Sequence, residues 1–240
     1  MKFELKCEIL LPVPDFRYAQ YCPLARAAEV LGERWTLLVI RELLLGPKRF
    51  SDLKRALAGV STSVLSERLA RLEGRGVIAR RELPPPIPAT LYELSESGRG
   101  LVPGMLELAR WGARFLEPPR AGDHFEPAWL RLGFTAFARK TPTPPRVFSI
   151  GVEGHGEAEF HVVGGDGGTA VRDGAAPADA ALCVASPLAL FALAARRLAP
   201  EEAVRSGAIR VDGDVAALDD FPELFDMAPD GSEPPNRKGR

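Results

Sequence analysis

The chain has 240 residues, 46% of them hydrophobic, and a formal net charge of −1, which is length enough for one large domain or two ordinary ones without a disulfide or metal staple. No apolar run reaches the roughly 18 residues of a membrane span, and the opening MKFELKCEILLPVPDF lacks a basic head and a small-residue cleavage site, so a cytoplasmic protein with no membrane partner is expected. Three widely spaced cysteines, Cys7, Cys22 and Cys183, form no CxxC pair and argue against a disulfide framework or a zinc site.

The near-neutral total hides a division along the chain. From Gln20 to Leu116, 15 Lys and Arg stand against 10 Asp and Glu; from Glu117 to Arg240 the balance is 13 against 19. Between Gly46 and Arg81 it is 9 against 3. A positive patch so concentrated suits a polyanion partner for that stretch, although a solvated helix surface accounts for the charge alone equally well.

In chain order, CPLARAAEVLG and ERWTLLVIRELLLG read as two helices, the second with Trp35, Leu38, Val39, Leu43 and Leu45 apolar and Gly46 as its stop. FSDLKRAL follows as a short helix carrying Phe50, Leu53 and Leu57. STSVLSERLARLEGRG is a fourth, and at about 100° per residue its Leu65, Leu69 and Leu72 form one buried stripe. Ser63, Glu67, Ala70 and Arg71 lie opposite, with Ser66 and Arg68 on the flanks, and Ser61 is placed to cap the N-terminus. Small hydroxyl residues beside arginines suit entry into a major groove, where backbone amides and guanidiniums meet phosphates and base edges.

GVIARRE and LYELS flank LPPPIPAT, a proline-rich tip that cannot be helix, so the three segments read as a hairpin carrying Arg80 and Arg81. Helix, helix, turn, recognition helix and basic hairpin is the winged helix-turn-helix order. Candidate DNA contacts are Ser61, Thr62, Ser63, Ser66, Arg68 and Arg71 on the fourth helix, Lys48, Arg49 and Lys54 before it, and Arg80 and Arg81 on the wing. SESGRGLVPGMLELARWGARFL is a further helix with Leu101, Met105, Leu108, Trp111 and Phe115 along one side and Pro103 in its first turn.

After EPPRAGD, which marks a domain boundary, the period changes. RVFSIGVEG, EAEFHVVGG, TAVRDG and DAALCVAS read as successive strands of an antiparallel meander, PLALFALAARRLAPEEAVRSG as one long or two short helices, AIRVDGDV as a last strand and AALDDFPELFDM as a closing helix. The fold class is therefore α+β. A winged helix-turn-helix domain is expected over residues 20–117, a five-stranded antiparallel or mixed sheet with helices on one face over 123–228, and a disordered tail over 229–240. His124, His155 and His161 fall on separate elements without metal-ligand spacing, and GGDGG lacks the Lys-Ser/Thr of a phosphate loop. No enzyme activity, metal or cofactor is expected.

Two resemblances add to this reading. The run from YCPLARAAEVLGERWTLLVIREL through RFSDLKR and LSERLARLEGRGVI to LSESGRGL resembles the HxlR family of bacterial winged-helix regulators, from about Cys22 to Phe115. It implies a homodimer joined through terminal helices and reading two half-sites of double-stranded DNA, set about 34–36 Å apart. Cys22 matches a position where some members carry a redox-sensing thiol, an inert packing cysteine being the alternative. The wing tip PPPIPAT departs from the family in its extra prolines and missing charges. The second half, strongest after Ala178, resembles the sterol carrier protein type domain, with Ser206, Gly207, Ile209, Val211, Gly213 and Asp214 as its characteristic turn-strand-turn. That resemblance implies a tunnel for an apolar small molecule or lipid, lined by Leu188, Leu190, Phe191, Leu193, Leu198, Phe221, Leu224 and Phe225; a packed core uses the same residues. A DNA-binding transcriptional regulator is the first reading, and a lipid carrier that uses its helix-turn-helix mainly to dimerise is the second.

Overall fold

The structure, a computed structural model, describes residues 17–84, 88–116, 120–154 and 160–227. The expected wing tip and the 229–240 tail fall wholly or partly outside them. The chain divides into two compact units, residues 1–100 and 101–240.

In the first unit, α1 (Pro23–Leu31) starts on Pro23, which needs no amide partner in a first turn, and α2 (Thr36–Leu44) buries Val39, Ile40 and Leu43. A two-residue strand β1 (Lys48–Arg49) precedes α3 (Phe50–Ala56), whose entry is fixed by the Arg49 N–H donating to the Asp52 carboxylate at 3.2 Å. α4 (Thr62–Gly74) ends in a Schellman turn: Gly76 takes φ +69° and the Val77 N–H returns to the Leu72 carbonyl at 2.9 Å. That turn feeds β2 (Ile78–Leu83), which pairs antiparallel with β3 (Ala89–Leu94) from Ile78 opposite Leu94 to Leu83 opposite Ala89. β1 joins the far side of β3, giving the order β1-β3-β2. Leu53, Leu57, Leu65, Leu69, Leu72 and Ile78 close the core beneath the sheet. Each full burial of such a side chain contributes about 1.5–3 kcal/mol. The short α5 (Glu96–Arg99) is capped by Ser95, whose oxygen accepts from the Gly98 N–H at 3.0 Å. Gly98 is required there, since a Cβ would collide with the Val77 carbonyl.

The second unit opens with α6 (Val102–Gly112), so the long helix expected after Ser95 is broken in two ahead of Pro103, and a 3₁₀ turn (Ala113–Phe115) extends it. α6 packs against α7 (Ala128–Phe137), a helix that the sequence reading did not assign; Arg110 donates to the Ala136 carbonyl and lies 5.3 Å from the Phe137 ring centroid. The sheet has five strands: β4 (Val147–Val152), β5 (Phe160–Val163), β6 (Ala170–Asp173), β7 (Ala180–Val184) and β8 (Ile209–Gly213). Their order is β6-β5-β4-β7-β8, and β7 lies parallel to β4.

The five-stranded sheet is therefore mixed, one of the two expected alternatives, and the expected meander of successive strands is corrected after β6. After β6 the chain crosses back to β7 through residues 174–179 instead of turning into a hairpin. Side chains of the sheet and of the crossover hold the link: the His161 ring bonds the Gly174 carbonyl at 2.9 Å, the Ser149 hydroxyl donates to the Ala176 carbonyl at 2.8 Å, and Asp179 of the crossover accepts from the Val147 N–H at 2.8 Å. Parallel neighbours require such a crossover.

The inward face, with Phe148, Ile150, Phe160, Leu182 and Ile209, packs against α7, α8 (Pro187–Ala194) and a 3₁₀ helix (Val215–Leu224). α9 (Pro200–Arg205) contacts β8, and Arg196 at φ +56° together with Pro200 separates it from α8, resolving the one-or-two-helix alternative as two. GGDGG joins β5 to β6 as a turn pressed against residues 139–146, where a Cβ on Gly164 or Gly168 would strike the carbonyls of Pro144 or Arg139.

Candidate nucleic-acid interface

The stripe of Leu65, Leu69 and Leu72 fixes which side of α4 faces inward, each being at most 2% exposed. The opposite edge is therefore presented to solvent: Thr62, Ser63, Ser66 and Ala70 are all exposed. Ser61 caps the helix as expected from its place in the sequence, accepting from the Val64 N–H at 3.2 Å, and its hydroxyl lies 3.1 Å from that of Ser63. No bulky side chain stands among these residues, so a duplex edge can approach the backbone closely.

The turn before α4 is held by Lys54. Its ammonium donates to the Val60 carbonyl at 2.6 Å, across a bend in which Gly59 adopts φ +90°. This candidate phosphate contact is thus engaged in fixing the angle between α3 and α4. Lys48 is similarly engaged, 3.4 Å from the carboxylate of Glu42, which is itself 1% exposed and also paired with Arg41 at 2.8 Å. Arg49 is exposed. Arg80 and Arg81 sit on adjacent positions of β2 and so project to opposite faces of the wing. Their pairs with Glu82 at 3.7 Å and Glu93 at 3.5 Å are solvent-exposed, of the kind worth at most about 1 kcal/mol and easily exchanged for phosphate.

Arg68 and Arg71 are placed differently from the others. Both direct a terminal nitrogen to the carboxylate of Glu33, in the turn between α1 and α2, and their side chains are 14% and 11% exposed. Glu33 escaped sequence reasoning because its partners are remote along the chain. Arg55 on α3, paired to Asp52 at 3.1 Å yet 77% exposed, is a further solvent-facing cation of the first unit that the sequence reading did not single out.

In the second unit the candidate tunnel residues divide. Leu190, Leu193, Phe221, Leu224 and Phe225 are fully buried, Phe191 and Leu198 are half-buried, and Leu188 points to solvent. Phe191 stacks on Phe134 with ring centroids 4.8 Å apart, and Phe225 lies edge-on to the same ring at 4.9 Å. These side chains fill space against one another. A concave groove of about 310 Å³ lies on the outward side of the sheet, lined by Ser149, Gly151, Ala181, Cys183, Arg210 and Asp212 among others. Cys22 is half-buried at the N-cap of α1, and the guanidinium of Arg26 turns to Glu29 at 3.0 Å. Among the described residues no group of three or more His, Cys, Asp or Glu is placed to hold a metal, and no helix is long and apolar enough to cross a membrane.

A family model described as HxlR-like helix-turn-helix matches residues 30–120. YvaP of Bacillus subtilis, an uncharacterised HTH-type transcriptional regulator, is 36% identical over 101 residues, 42% of this chain and 94% of its own length. The chain belongs to the HxlR-like helix-turn-helix family. YodB, an HTH-type transcriptional regulator of Bacillus subtilis, is 36% identical over 98 residues, 40% of this chain and 88% of its own. The reduced form of YodB has been solved; it covers 42% of this chain and 100% of its own at 34% identity, with a TM-score of 0.37. This HxlR-like protein is a transcriptional regulator of the helix-turn-helix type, and its second unit extends well past the residues that the family model matches.

Proposed function

We propose that this HxlR-like regulator binds double-stranded DNA as a homodimer, inserting the N-terminal half of α4 into the major groove of each of two half-sites. The observation that carries the reading is the exposed Thr62, Ser63 and Ser66 edge, mounted on a fully buried leucine stripe, in a unit that also exposes Arg49, Arg80 and Arg81. Thr62, Ser63 and Ser66 meet base edges; Arg49, Arg80 and Arg81 meet phosphates. The second unit acts as the effector module, and the sterol-carrier resemblance names its ligand class as apolar. Because its aromatic side chains touch one another, a ligand has to displace the half-buried Phe191 or Leu198 to enter. Cys22, by the family resemblance, is the candidate thiol through which oxidation would act.

The deciding measurement is a salt titration of binding to a labelled duplex from the DNA upstream of the protein's own coding sequence. The expected log–log slope is about one unit per phosphate contact, and Arg49→Gln, Arg80→Gln and Arg81→Gln each reduce it by about two, one for each protomer of the dimer. Ser63→Ala weakens binding to this duplex more than to a scrambled one. A protein with no preference between the two duplexes, even at low salt, would rule out the regulator as proposed. Native mass spectrometry with a panel of fatty acids and sterols addresses the effector module: a retained adduct is expected, and a protein that ignores the panel makes the second unit a packed core.

A further inference from the structure

Arg68 and Arg71 carry the charge that makes α4 look like a phosphate-binding helix, yet neither presents it. Both meet the Glu33 carboxylate, and Arg68 also donates from Nε to the Arg34 carbonyl at 3.2 Å and from Nη1 to Glu67 at 3.0 Å. One guanidinium thus spans a side-chain acceptor and a main-chain acceptor in the same turn. Lysine, a single point charge, cannot reproduce that fork.

The turn they grip is unusual. Trp35, the N-cap of α2, adopts φ 77° and ψ −20°, a left-handed conformation that bulky residues rarely take and that persists only where surrounding contacts impose it. The Arg34 guanidinium lies 5.1 Å from the Trp35 ring centroid, completing a polar cluster of Glu33, Arg34, Arg68 and Arg71 around the bend. The leucine stripe of α4 determines its inward face but leaves sliding and small rotations poorly specified, because one leucine row accommodates several registers on an apolar bed. Ion pairs from two successive turns of α4 to one carboxylate, together with the Arg68 Nε bond to the Arg34 carbonyl, restrict that freedom.

We propose that Glu33 is a positioning residue for DNA recognition: through Arg68 and Arg71 it sets the pitch of α4, and these two arginines do not contact phosphate. The inference rests on the DNA-binding reading above. It follows that the groove is read by the hydroxyl edge alone, with phosphate contacts supplied from outside α4.

The test measures affinity for the same labelled duplex across a salt series with the full-length protein and its Glu33→Gln, Arg68→Lys, Arg71→Gln and Glu33→Gln/Arg71→Gln variants. All measurements are made well below each variant's melting temperature, so that a purely stabilising role leaves affinity per folded molecule unchanged. Each single variant is expected to lose about tenfold at every salt concentration with the slope unaltered, and the double variant to lose no more than either single one, as coupled groups do. Arg68→Lys is the control that survives a folding defect elsewhere: a phosphate contact is rescued by lysine, and the fork is not. A slope reduced by about two in Arg71→Gln, one for each protomer, tighter binding by Glu33→Gln, or full affinity in Arg68→Lys would each overturn the positioning role while leaving the DNA-binding reading intact. Wild-type protein without salt-dependent binding would overturn both.

Discussion

Glu223 shows how single contacts hold the second unit. Its carboxylate accepts from Arg196 and, at 3.3 Å, from Arg139, whose Nε also donates to Asp226 at 3.1 Å. The bond from Arg196 is the main cause holding the Glu223 carboxyl below its ordinary 4.5; partial burial opposes the shift and the charges of Arg196 and Arg139 add to it. A folded carboxyl that stays ionised to lower pH than the unfolded one contributes stability that is complete above the unfolded value and lost as pH falls through the folded one. Glu223→Gln should therefore lower the melting temperature at neutral pH, and the gap to wild type should close as the pH is taken below 4.5. The gap will be small, because Glu223 is 47% exposed and solvent screens the pair. Melting curves at stepped pH check this, and a gap that widens in acid would contradict it. At this scale the sequence is legible only where partners are neighbours. Ser61 could be read as a cap because its acceptor role spans three residues, whereas nothing in ERW or LSERLAR says that Glu33 will meet Arg68 and Arg71. Charge counting placed those arginines on an open surface because it counts charges without their partners.

Elements follow the same division between local and remote information. α4 and the wing were legible because leucine spacing, a proline-rich tip and the β2–β3 register are all set within a few residues. α7 was not, although Leu130, Phe134 and Phe137 recur at helical spacing, because the flanking Pro127, Gly133 and the prolines from Pro142 onward read as loop. Gly133 is there for packing: a Cβ would come within 2.9 Å of the Phe191 ring, so the glycine lets α8 approach α7. The parallel β4–β7 pair was also invisible, since a short Gly/Asp-bounded link has the same composition whether it closes a hairpin or crosses the sheet. Ser149 and His161, which hold the crossover, lie on strands that precede it. α7 is nonetheless central to the second unit. Phe134 is fully buried and its ring lies within 6.1 Å, centroid to centroid, of Phe160, Phe191, Phe221 and Phe225. Phe134→Ala should cost about 3–5 kcal/mol in urea unfolding of the full chain, with the larger values expected if the aromatic cluster cannot collapse into the void. A loss under 1 kcal/mol would mean that the cluster is loose enough to admit a ligand without rearrangement.

For the whole molecule, the unexplained feature is apolar surface. In the first unit Tyr21 and Leu24 of the α1 segment are almost wholly exposed; in the second, Leu108, Trp111, Phe115 and Leu116 are each at least half exposed along α6 and its 3₁₀ extension. The sequence places Leu101, Met105, Leu108, Trp111 and Phe115 along one side of this helix, and of these five only Met105 is buried. Single exposed leucines need no explanation, but an aromatic and aliphatic row continuing through two helical turns does, since it would be costly to leave in water. Under the proposed homodimer, a second copy of the chain would cover these patches, because a two-fold interface pairs each patch with its own equivalent and would align two recognition helices on one duplex. Leu24→Glu and Trp111→Glu place a charge on each stripe without removing a core contact, so folding measured by circular dichroism should be unchanged. Sedimentation should then report a dimer for wild type and a monomer for Trp111→Glu, and binding to the upstream duplex should weaken far more than binding to a single half-site, because a monomer loses the gain of joining two sites on one strand of DNA. If the wild-type protein sediments as a monomer, or both variants remain dimeric, the stripes have another partner and the two-half-site operator has lost its structural basis.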